Sequence, residues 1–351
     1  MITFSLTTWT RIGALLLACT LVGCGGASST VNPLSPNRII AFGDAYSAVD
    51  VNGLGTYTVN TGETNTTVAS QMASIYGITL KGVAGRGNVL NGRGYSYATG
   101  TAKVSDVQTQ ISDFLADSPS VASNDLIIIT AGAQDIFAAT PTNNTAAIQT
   151  AAANLTAAIQ SLTNAGAQYV LVVLPINMGR TPWAVAKAYT VTAQALSYDT
   201  STLCQSFACQ LSTKLNDAYP ATSSHQRILL ADLIGFSNLI TGTTTTGGAN
   251  TFVTYGVANP NIPVCDATTG INGATVWVPA HDVPAHACNA TLASMTVVSS
   301  ASAGYAANVF TGAAWDFSTS VFADYINLTP MGNRLLANYI YSTNMYRAGW
   351  R

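Results

Sequence analysis

Charged residues are scarce in this chain of 351 residues. Asp, Glu, Lys and Arg make up 8% of the sequence, which is about a third of the usual share in globular proteins. The formal net charge is -2, and the sequence contains no run of basic residues. Because nucleic-acid binding requires Lys and Arg that neutralise phosphates, the composition argues against a nucleic-acid partner. The apolar share of 48% is ample for a large core.

The hydrophobic run near the N-terminus is short. It covers residues 12–22 and follows Arg11, which is the first positive charge of the chain. The run is too short to cross a bilayer as a helix, but its length suits the core of a signal peptide. We therefore interpret residues 1–23 as a signal peptide, which predicts export.

The run ends in Leu-Val-Gly-Cys at residues 21–24, which resembles the lipobox of bacterial lipoproteins. The resemblance implies that Cys24 is acylated and becomes the new N-terminus, so the membrane is a predicted partner. Gly25, rather than Asp, follows the cysteine, which by the same resemblance favours the outer membrane of a Gram-negative bacterium. Residues 24–37 then form the lipidated cysteine and a flexible tether. The alternative is an ordinary signal peptide with an incidental cysteine.

Cysteine is also rare, and four residues remain beyond the N-terminal region: Cys204, Cys209, Cys265 and Cys288. An even number in an exported protein predicts disulfides, with three possible pairings. Proximity along the chain favours Cys204 with Cys209 and Cys265 with Cys288. Zinc is the rival interpretation, with His281 and His286 nearby, but the cysteine spacings are not those of usual zinc sites. We therefore predict neither a metal nor a cofactor.

From residue 38 onward, short apolar runs alternate with helix-like stretches. The predicted strands cover residues 38–42, 125–130, 169–174 and 228–232, and the predicted helices cover residues 66–76, 104–115, 146–164, 194–219 and 328–346. This alternation is typical of a parallel sheet with helices on both faces, so we predict an α/β fold, a three-layer α/β/α sandwich. Residues 38–351 form one domain. It carries an irregular insertion at about residues 241–300, which Cys265 and Cys288 are expected to staple.

Four short sequence blocks lie at the ends of strands or the starts of helices. Gly-Asp-Ala-Tyr-Ser at residues 43–47 follows the first strand, where an α/β sheet presents residues to a ligand. A Gly-Tyr-Ser-Tyr-Ala-Thr-Gly-Thr string begins the block at residues 94–104, and Ala-Gly-Ala-Gln-Asp fills residues 131–135. Residues 322–337 contain Asp-Tyr-Ile-Asn-Leu-Thr-Pro-Met-Gly. In this order, the blocks resemble those of the SGNH/GDSL family of esterases and lipases.

The resemblance implies a flavodoxin-like SGNH-hydrolase fold and a serine-esterase site. In that family, a serine attacks the ester carbonyl, a histidine takes its proton, and an aspartate orients the histidine. Here Ala45 occupies the nucleophile position and Asn327 the base position, whereas Asp324 is retained. A methyl group cannot attack, and an amide does not titrate near neutral pH. We therefore predict a pseudoenzyme whose former cleft binds an acylated or glycan ligand, or a protein partner of unknown identity.

The same resemblance assigns the oxyanion donors to a glycine of the second block and an asparagine of the third. Gly100 or Thr101 falls at the glycine, depending on the alignment, and Gln134 replaces the asparagine, which moves the amide outward by one methylene. Four further residues are expected at the cleft: Asp44, Ser47, Gly132 and Asp135.

Three alternatives stay open from the sequence. Catalysis could have moved to Ser47, with His281 or His286 as the base. A hard cation could bind between Asp44, Asp324 and the Asn327 oxygen. Finally, the insertion could be a surface interaction module for which the domain is only a scaffold.

Overall fold

A six-stranded parallel sheet forms the centre of the protein, as seen in a computed structural model. The structure describes residues 33–49, 56–198, 203–220, 227–242, 251–258, 260–261, 263–264, 269–270, 274–275, 288 and 317–351. The strands are β1 (Ile39–Gly43), β2 (Lys81–Gly82), β3 (Gly94–Ser96), β4 (Leu126–Thr130), β5 (Tyr169–Val173) and β6 (Arg227–Ala231). Their order in the sheet is β2-β3-β1-β4-β5-β6. The predicted strands are confirmed, whereas the short β2 and β3 were not predicted.

Helices cover both faces of the sheet. Their bounds are α1 (Val68–Ile75), α2 (Val104–Asp117), α3 (Ala133–Ala139), α4 (Thr145–Asn164), α5 (Pro182–Ala186), α6 (Thr190–Ser197), α7 (Phe207–Ala218), α8 (Ile234–Ile240) and α9 (Pro330–Tyr339). Helices α2, α4 and α7 pack in a row on one face, while α1 packs against α9 on the other. Every residue of β1 and β4 is buried, as expected for central strands covered on both sides. The predicted α/β/α sandwich is therefore confirmed.

The prediction of one long helix over residues 194–219 is wrong. Helix α6 ends at Ser197, and α7 begins only at Phe207. Between them, Cys204 has a positive φ of 51° and forms a disulfide with Cys209 in the first turn of α7. The Ser206 side chain caps α7 by accepting a hydrogen bond from the backbone of Cys209 at 3.2 Å. The left-handed residue and the cap interrupt what the apolar spacing suggested was one continuous helix.

The structure also tests the predicted disulfide pairs. The nearest-neighbour pair Cys204–Cys209 is confirmed. Cys288 is disulfide-bonded as well, while its predicted partner Cys265 lies outside the described residues.

The C-terminal helix starts where the sequence suggested and changes character before its end. Thr329 caps α9, and Pro330 occupies the first helical position, where its missing N–H is tolerated. After Tyr339 the chain continues as a π-helical turn, Ile340–Met345. The chain end then returns to the edge where the strands begin. There the N–H of Leu34, which precedes β1, donates to the Trp350 carbonyl at 3.0 Å.

Several predicted features lie outside the described residues: the signal peptide at residues 1–23, Cys24, much of the tether, Cys265, His281, His286 and most of the insertion. The described parts of the insertion include a 3-10 turn (Thr251–Tyr255) and a small hairpin of β7 (Thr269–Gly270) with β8 (Ala274–Thr275). No described helix is both long and apolar enough to cross a membrane. The chain from Gly25 onward contains every strand of the sheet. It also contains all described core residues, from Leu34 to Trp350.

Candidate active site

The first block sits in a sharp turn at the carboxyl end of β1. Gly43 has φ of +126°, and a Cβ at this position would overlap the carbonyl oxygen of Thr130 at the end of β4. The Asp44 N–H donates to that carbonyl at 3.1 Å. The Gln110 side chain accepts from the Gly43 N–H at 2.7 Å and donates to its carbonyl at 3.1 Å. These contacts hold the turn in place without help from residue 45.

Ala45 and Asp44 are both buried in this turn. Ala45 is 5% exposed and presents only a methyl group at the position that the sequence resemblance assigns to a nucleophile. The Asp44 carboxylate accepts from the Tyr46 N–H at 3.2 Å. Burial raises the pKa of Asp44 to about 6, with a smaller contribution from the negative charge of Asp135, while hydrogen bonds from Thr130 and Tyr46 oppose the shift.

Ser47 is fully buried beneath the turn. Its N–H donates to the Asp44 carbonyl at 2.9 Å, and its hydroxyl lies 3.0 Å from that of Thr130. The Ser96 hydroxyl donates to the Ser47 carbonyl at 2.6 Å. A serine with 0% exposure and these partners ties β1 to β3 and β4, and it offers no surface to a substrate. This environment speaks against a relocated nucleophile at Ser47.

In the closing block, Asp324 and Asn327, the residues that the resemblance assigns to the orienting acid and the base, contact each other directly. The Asp324 carboxylate accepts hydrogen bonds from the backbone of Ile326 at 2.9 Å and of Asn327 at 2.6 Å. Its second oxygen accepts from Asn327 Nδ2 at 2.7 Å. In a serine esterase, that carboxylate would hold an imidazole. Here it holds the side-chain amide of Asn327, a residue that is 7% exposed. An amide does not take up a proton near neutral pH, so it cannot act as a base.

Tyr46 shows that the first and last blocks meet. Its pKa is raised well above the usual value, first by burial and then by the negative charges of Asp44 and Asp324. Burial also raises the pKa of Asp324, although the hydrogen bonds from Asn327 and Ile326 oppose this. Tyr46 therefore lies within electrostatic range of both Asp44 in the first block and Asp324 in the closing block, and all three groups are desolvated.

The third block joins the same region at the end of β4. Gly132 caps α3 with φ of +105°, and a Cβ there would overlap the ring of Phe207. The Asp135 carboxylate accepts the Val104 N–H at 3.0 Å, which caps the first turn of α2 after the second block. Burial raises the pKa of Asp135, and the Val104 N–H and Lys103 oppose this shift.

The oxyanion positions are only partly open. Gly100 is buried, and a Cβ on it would overlap the ring of Tyr57, so this ring covers the glycine. Thr101 is exposed, while Gln134 is half-buried in the first turn of α3. The alignment of the second block stays open between Gly100 and Thr101. Of the three positions, Thr101 and Gln134 are the ones that a ligand can reach.

Parts of the insertion lie directly beside the closing block. The Cys288 carbonyl accepts from the Asn60 N–H at 2.9 Å, and its sulfur lies 4.0 Å from the Ala323 carbonyl oxygen. The Val264 N–H donates to the Phe322 carbonyl at 3.1 Å. Because Ala323 immediately precedes Asp324, these described points of the insertion border the candidate site.

A cation between Asp44, Asp324 and Asn327 does not suit these contacts. Asn327 directs its amide nitrogen, rather than its oxygen, at Asp324. Both Asp324 oxygens already accept hydrogen bonds. Among the described residues, no group of three or more His, Cys, Asp or Glu is placed to hold a metal ion.

Three residues that shape the site were not identified from the sequence as doing so. Gln110 brackets Gly43, Thr130 contacts Asp44 and Ser47, and Tyr57 covers Gly100. Thr130 closes an apolar strand, which is a recognisable place for a site residue in an α/β fold. Gln110 on a helix and Tyr57 in a loop carry no such signal.

The parallel sheet order and the helices on both faces define the class as an α/β/α fold, and the candidate site described above lies at the carboxyl edge of its sheet. The chain belongs to the GDSL-like Lipase/Acylhydrolase family, whose model matches residues 39–340. Among solved structures, it is similar to protein YXIM of Bacillus subtilis, with 13% identity and a TM-score of 0.34. That match covers 58% of this chain and 46% of the Bacillus chain, so this chain spans less than half the length of that protein. No curated protein matches this chain.

Proposed function

We propose that this protein is a lipid-anchored member of the GDSL-like family that has lost ester hydrolysis and uses the former ester site for binding. The contact between Asp324 and Asn327 carries this proposal. The aspartate holds an amide at 2.7 Å in the place of a base, and Ala45 supplies no nucleophile. Loss of both reacting groups removes the proton transfer and the attack together.

The insertion supports a binding role rather than a passive scaffold. Cys288 contacts Asn60 and lies beside Ala323, so the described part of the insertion borders the site. The polar groups that a ligand can reach there are Thr101 and Gln134. An acylated or glycan molecule with hydrogen-bonding groups fits this edge better than a strongly anionic one, because the carboxylates of Asp44, Asp135 and Asp324 lie at the same edge.

Anchoring through Cys24 follows from the sequence alone. The lipobox-like residues 21–24 imply acylation, and several acyl chains would hold the protein firmly at a membrane. We place the protein at the outer membrane of a Gram-negative bacterium, because Gly25 follows the cysteine.

The first test is hydrolysis of p-nitrophenyl butyrate by the chain from Gly25 onward. We expect a rate equal to the background without protein, also for Ser47→Ala. Turnover by the wild type that disappears in Ser47→Ala would overturn the proposal and establish an active esterase with a relocated nucleophile.

Binding is tested separately with two probes, p-nitrophenyl octanoate and a chitin-derived oligosaccharide. We expect at least one probe to bind the wild type and to bind Gln134→Ala about 5- to 20-fold more weakly, the equivalent of one lost hydrogen bond. Gln160→Ala on the exposed face of α4 is the matched control. If neither probe binds the wild type, or if Gln134→Ala and Gln160→Ala bind the probes equally well, the proposal of a ligand site at Gln134 is wrong.

A further inference from the structure

The two edges of the parallel sheet carry opposite charges. Three buried or half-buried carboxylates lie at the carboxyl edge: Asp44, Asp135 and Asp324. At the opposite edge, where the strands begin, Arg38 and Arg93 immediately precede β1 and β3. The chain end reaches the same edge through the hydrogen bond between Leu34 and Trp350, and it adds Arg347 and Arg351.

Three of these arginines are not neutralised by a described carboxylate. Arg38 pairs with Asp125 at 2.6 Å, whereas Arg93, Arg347 and Arg351 are exposed and make no ion pair with any described residue. Arg93 is held at the edge because its guanidinium donates to the Asn37 and Pro36 carbonyls at 3.0 and 3.1 Å.

Two nearby carboxylates are already engaged. Asp113 pairs with Arg86 at 2.6 Å. Asp117 at the end of α2 accepts hydrogen bonds from Gly87, Asn88 and Tyr97 at 2.6 to 2.9 Å. The hydrogen bonds leave Asp117 its negative charge, but the three arginines without an ion pair to a described residue outnumber it, so these residues together are positive in a chain whose formal net charge is -2.

An exposed aromatic side chain lies among these arginines. Tyr346 is 63% exposed. The Arg351 guanidinium stacks over the rings of Tyr341 and Tyr346, at 5.0 and 5.4 Å from their centroids. Arginine and tyrosine side by side, each with an apolar body and a polar tip, suit the headgroup region of a bilayer. We call Arg93, Tyr346, Arg347 and Arg351 the basic edge.

The chain leaves the domain at this same edge. Among the described residues Leu34 is the first buried one, and eight residues lie between Cys24 and Pro33. A fully extended chain of that length spans at most about 30 Å. Acylation at Cys24 would therefore keep the bilayer close to the basic edge, while the candidate site lies at the other end of the strands.

We propose that the basic edge rests on an anionic phospholipid surface, so that the candidate site faces away from the membrane that carries the anchor. The proposal rests on the proposed anchoring for the proximity of the membrane, but the contact itself depends on the arginines. Anionic lipid headgroups complement the charge, and Tyr346 adds a residue suited to the interface. The ligand of the candidate site then arrives from the aqueous side.

Vesicle co-sedimentation of the chain from Gly25 onward tests the contact without the anchor. We expect binding to phosphatidylglycerol-containing vesicles and little binding to pure phosphatidylcholine. The triple variant Arg93→Gln, Arg347→Gln, Arg351→Gln should lose about fivefold in partitioning for each charge removed. The matched control removes three cations outside the basic edge, which lie before α2, after α5 and within α9: Lys103→Gln, Lys187→Gln and Arg334→Gln. Equal losses in both triple variants, or no preference for anionic vesicles, would overturn the proposal.

A polarity-sensitive dye reports the orientation independently. We expect its emission to shift on anionic vesicles when it is attached at Ala348→Cys, beside the basic edge. The comparison is Val191→Cys, which is 81% exposed at the start of α6 on the site side of the sheet. A shift at Val191, or none at Ala348, contradicts the orientation. The chain from Gly25 onward lacks Cys24, so this result does not depend on acylation. Acylation is tested separately by measuring the mass of the full protein made in bacteria.

Discussion

Asn327 donates its side-chain amide to Asp324 at 2.7 Å, and the backbone N–H of Asn327 donates to the other oxygen of the same carboxylate at 2.6 Å. The aspartate thus has a structural role that does not depend on catalysis. It stabilises the loop between Phe322 and Leu328, which a β-bridge closes, because it satisfies the backbone donors of Ile326 and Asn327, which would otherwise be left in a desolvated place.

Removal of this carboxylate should destabilise the protein. We expect Asp324→Ala to lower the free energy of unfolding by about 2 to 4 kcal/mol, because several charge-assisted hydrogen bonds are lost in a buried loop. Urea unfolding measures the change. The control Asp217→Ala, on the exposed face of α7, should stay within about 0.5 kcal/mol of the wild type. Similar values for the two variants would show that the loop does not need Asp324.

The turn after β1 should tolerate no side chain at Gly43. We expect Gly43→Ala to lower the free energy of unfolding by more than about 3 kcal/mol, since it combines strain at positive φ with overlap of the Thr130 carbonyl. Gly62→Ala is the matched control, because Gly62 has φ of +85° and open space around it. It should lose about 1 kcal/mol. If both variants lose the same amount, close packing at Thr130 is not what requires the glycine.

Stability should depend on pH through Asp44. Its pKa rises from 3.8 to about 6 on folding, so the folded state binds this proton more tightly than the unfolded state. The contribution to stability is full below the unfolded pKa and is lost as pH rises through about 6. Asp44→Asn removes this dependence. We expect the free energy of unfolding of Asp44→Asn, relative to that of the wild type, to be about 2 to 3 kcal/mol higher at about pH 7.5 than at about pH 4. Urea unfolding at both pH values measures the difference, and a difference that does not change with pH would contradict the shift.

Tyr57 should limit any attempt to restore hydrolysis. The variant Ala45→Ser, Asn327→His regains the reacting groups, but the Tyr57 ring still covers Gly100. We expect Tyr57→Ala in that background to raise the rate of p-nitrophenyl butyrate hydrolysis by about 10- to 100-fold, since an oxyanion donor contributes about that much or more. Tyr255→Ala in the same background is the control. An unchanged rate on removal of the Tyr57 ring would show that Gly100 is not the donor, and would favour Thr101.

The sequence predicted the elements that carry long, regular patterns. The buried strand at residues 126–130 and helix α4 were predicted to within one residue, because their apolar content is continuous over the whole element. The two short strands β2 and β3 have too few residues to show alternation. The predicted helix at residues 194–219 was wrong because a left-handed Cys204 breaks a sequence whose spacing still looks helical.

The candidate site follows the same rule. The residues of the four blocks could be proposed from the sequence because the blocks resemble those of a known family and stand at strand ends or helix starts, where chemistry is usually presented. Tyr57 and Gln110 reach the site through tertiary packing, from a loop and from the middle of α2. Their contacts join residues that are far apart in the sequence, and no local pattern announces such contacts.

Gly43, Thr130 and Gln110 hold the turn around residue 45, and the side chain at residue 45 is not among the groups that they contact. In evolutionary terms, exchange between a hydroxymethyl and a methyl group at residue 45 leaves the hydrogen bonds that shape this turn in place. A lineage carrying this turn can exchange serine and alanine at residue 45 by a single substitution without losing those hydrogen bonds.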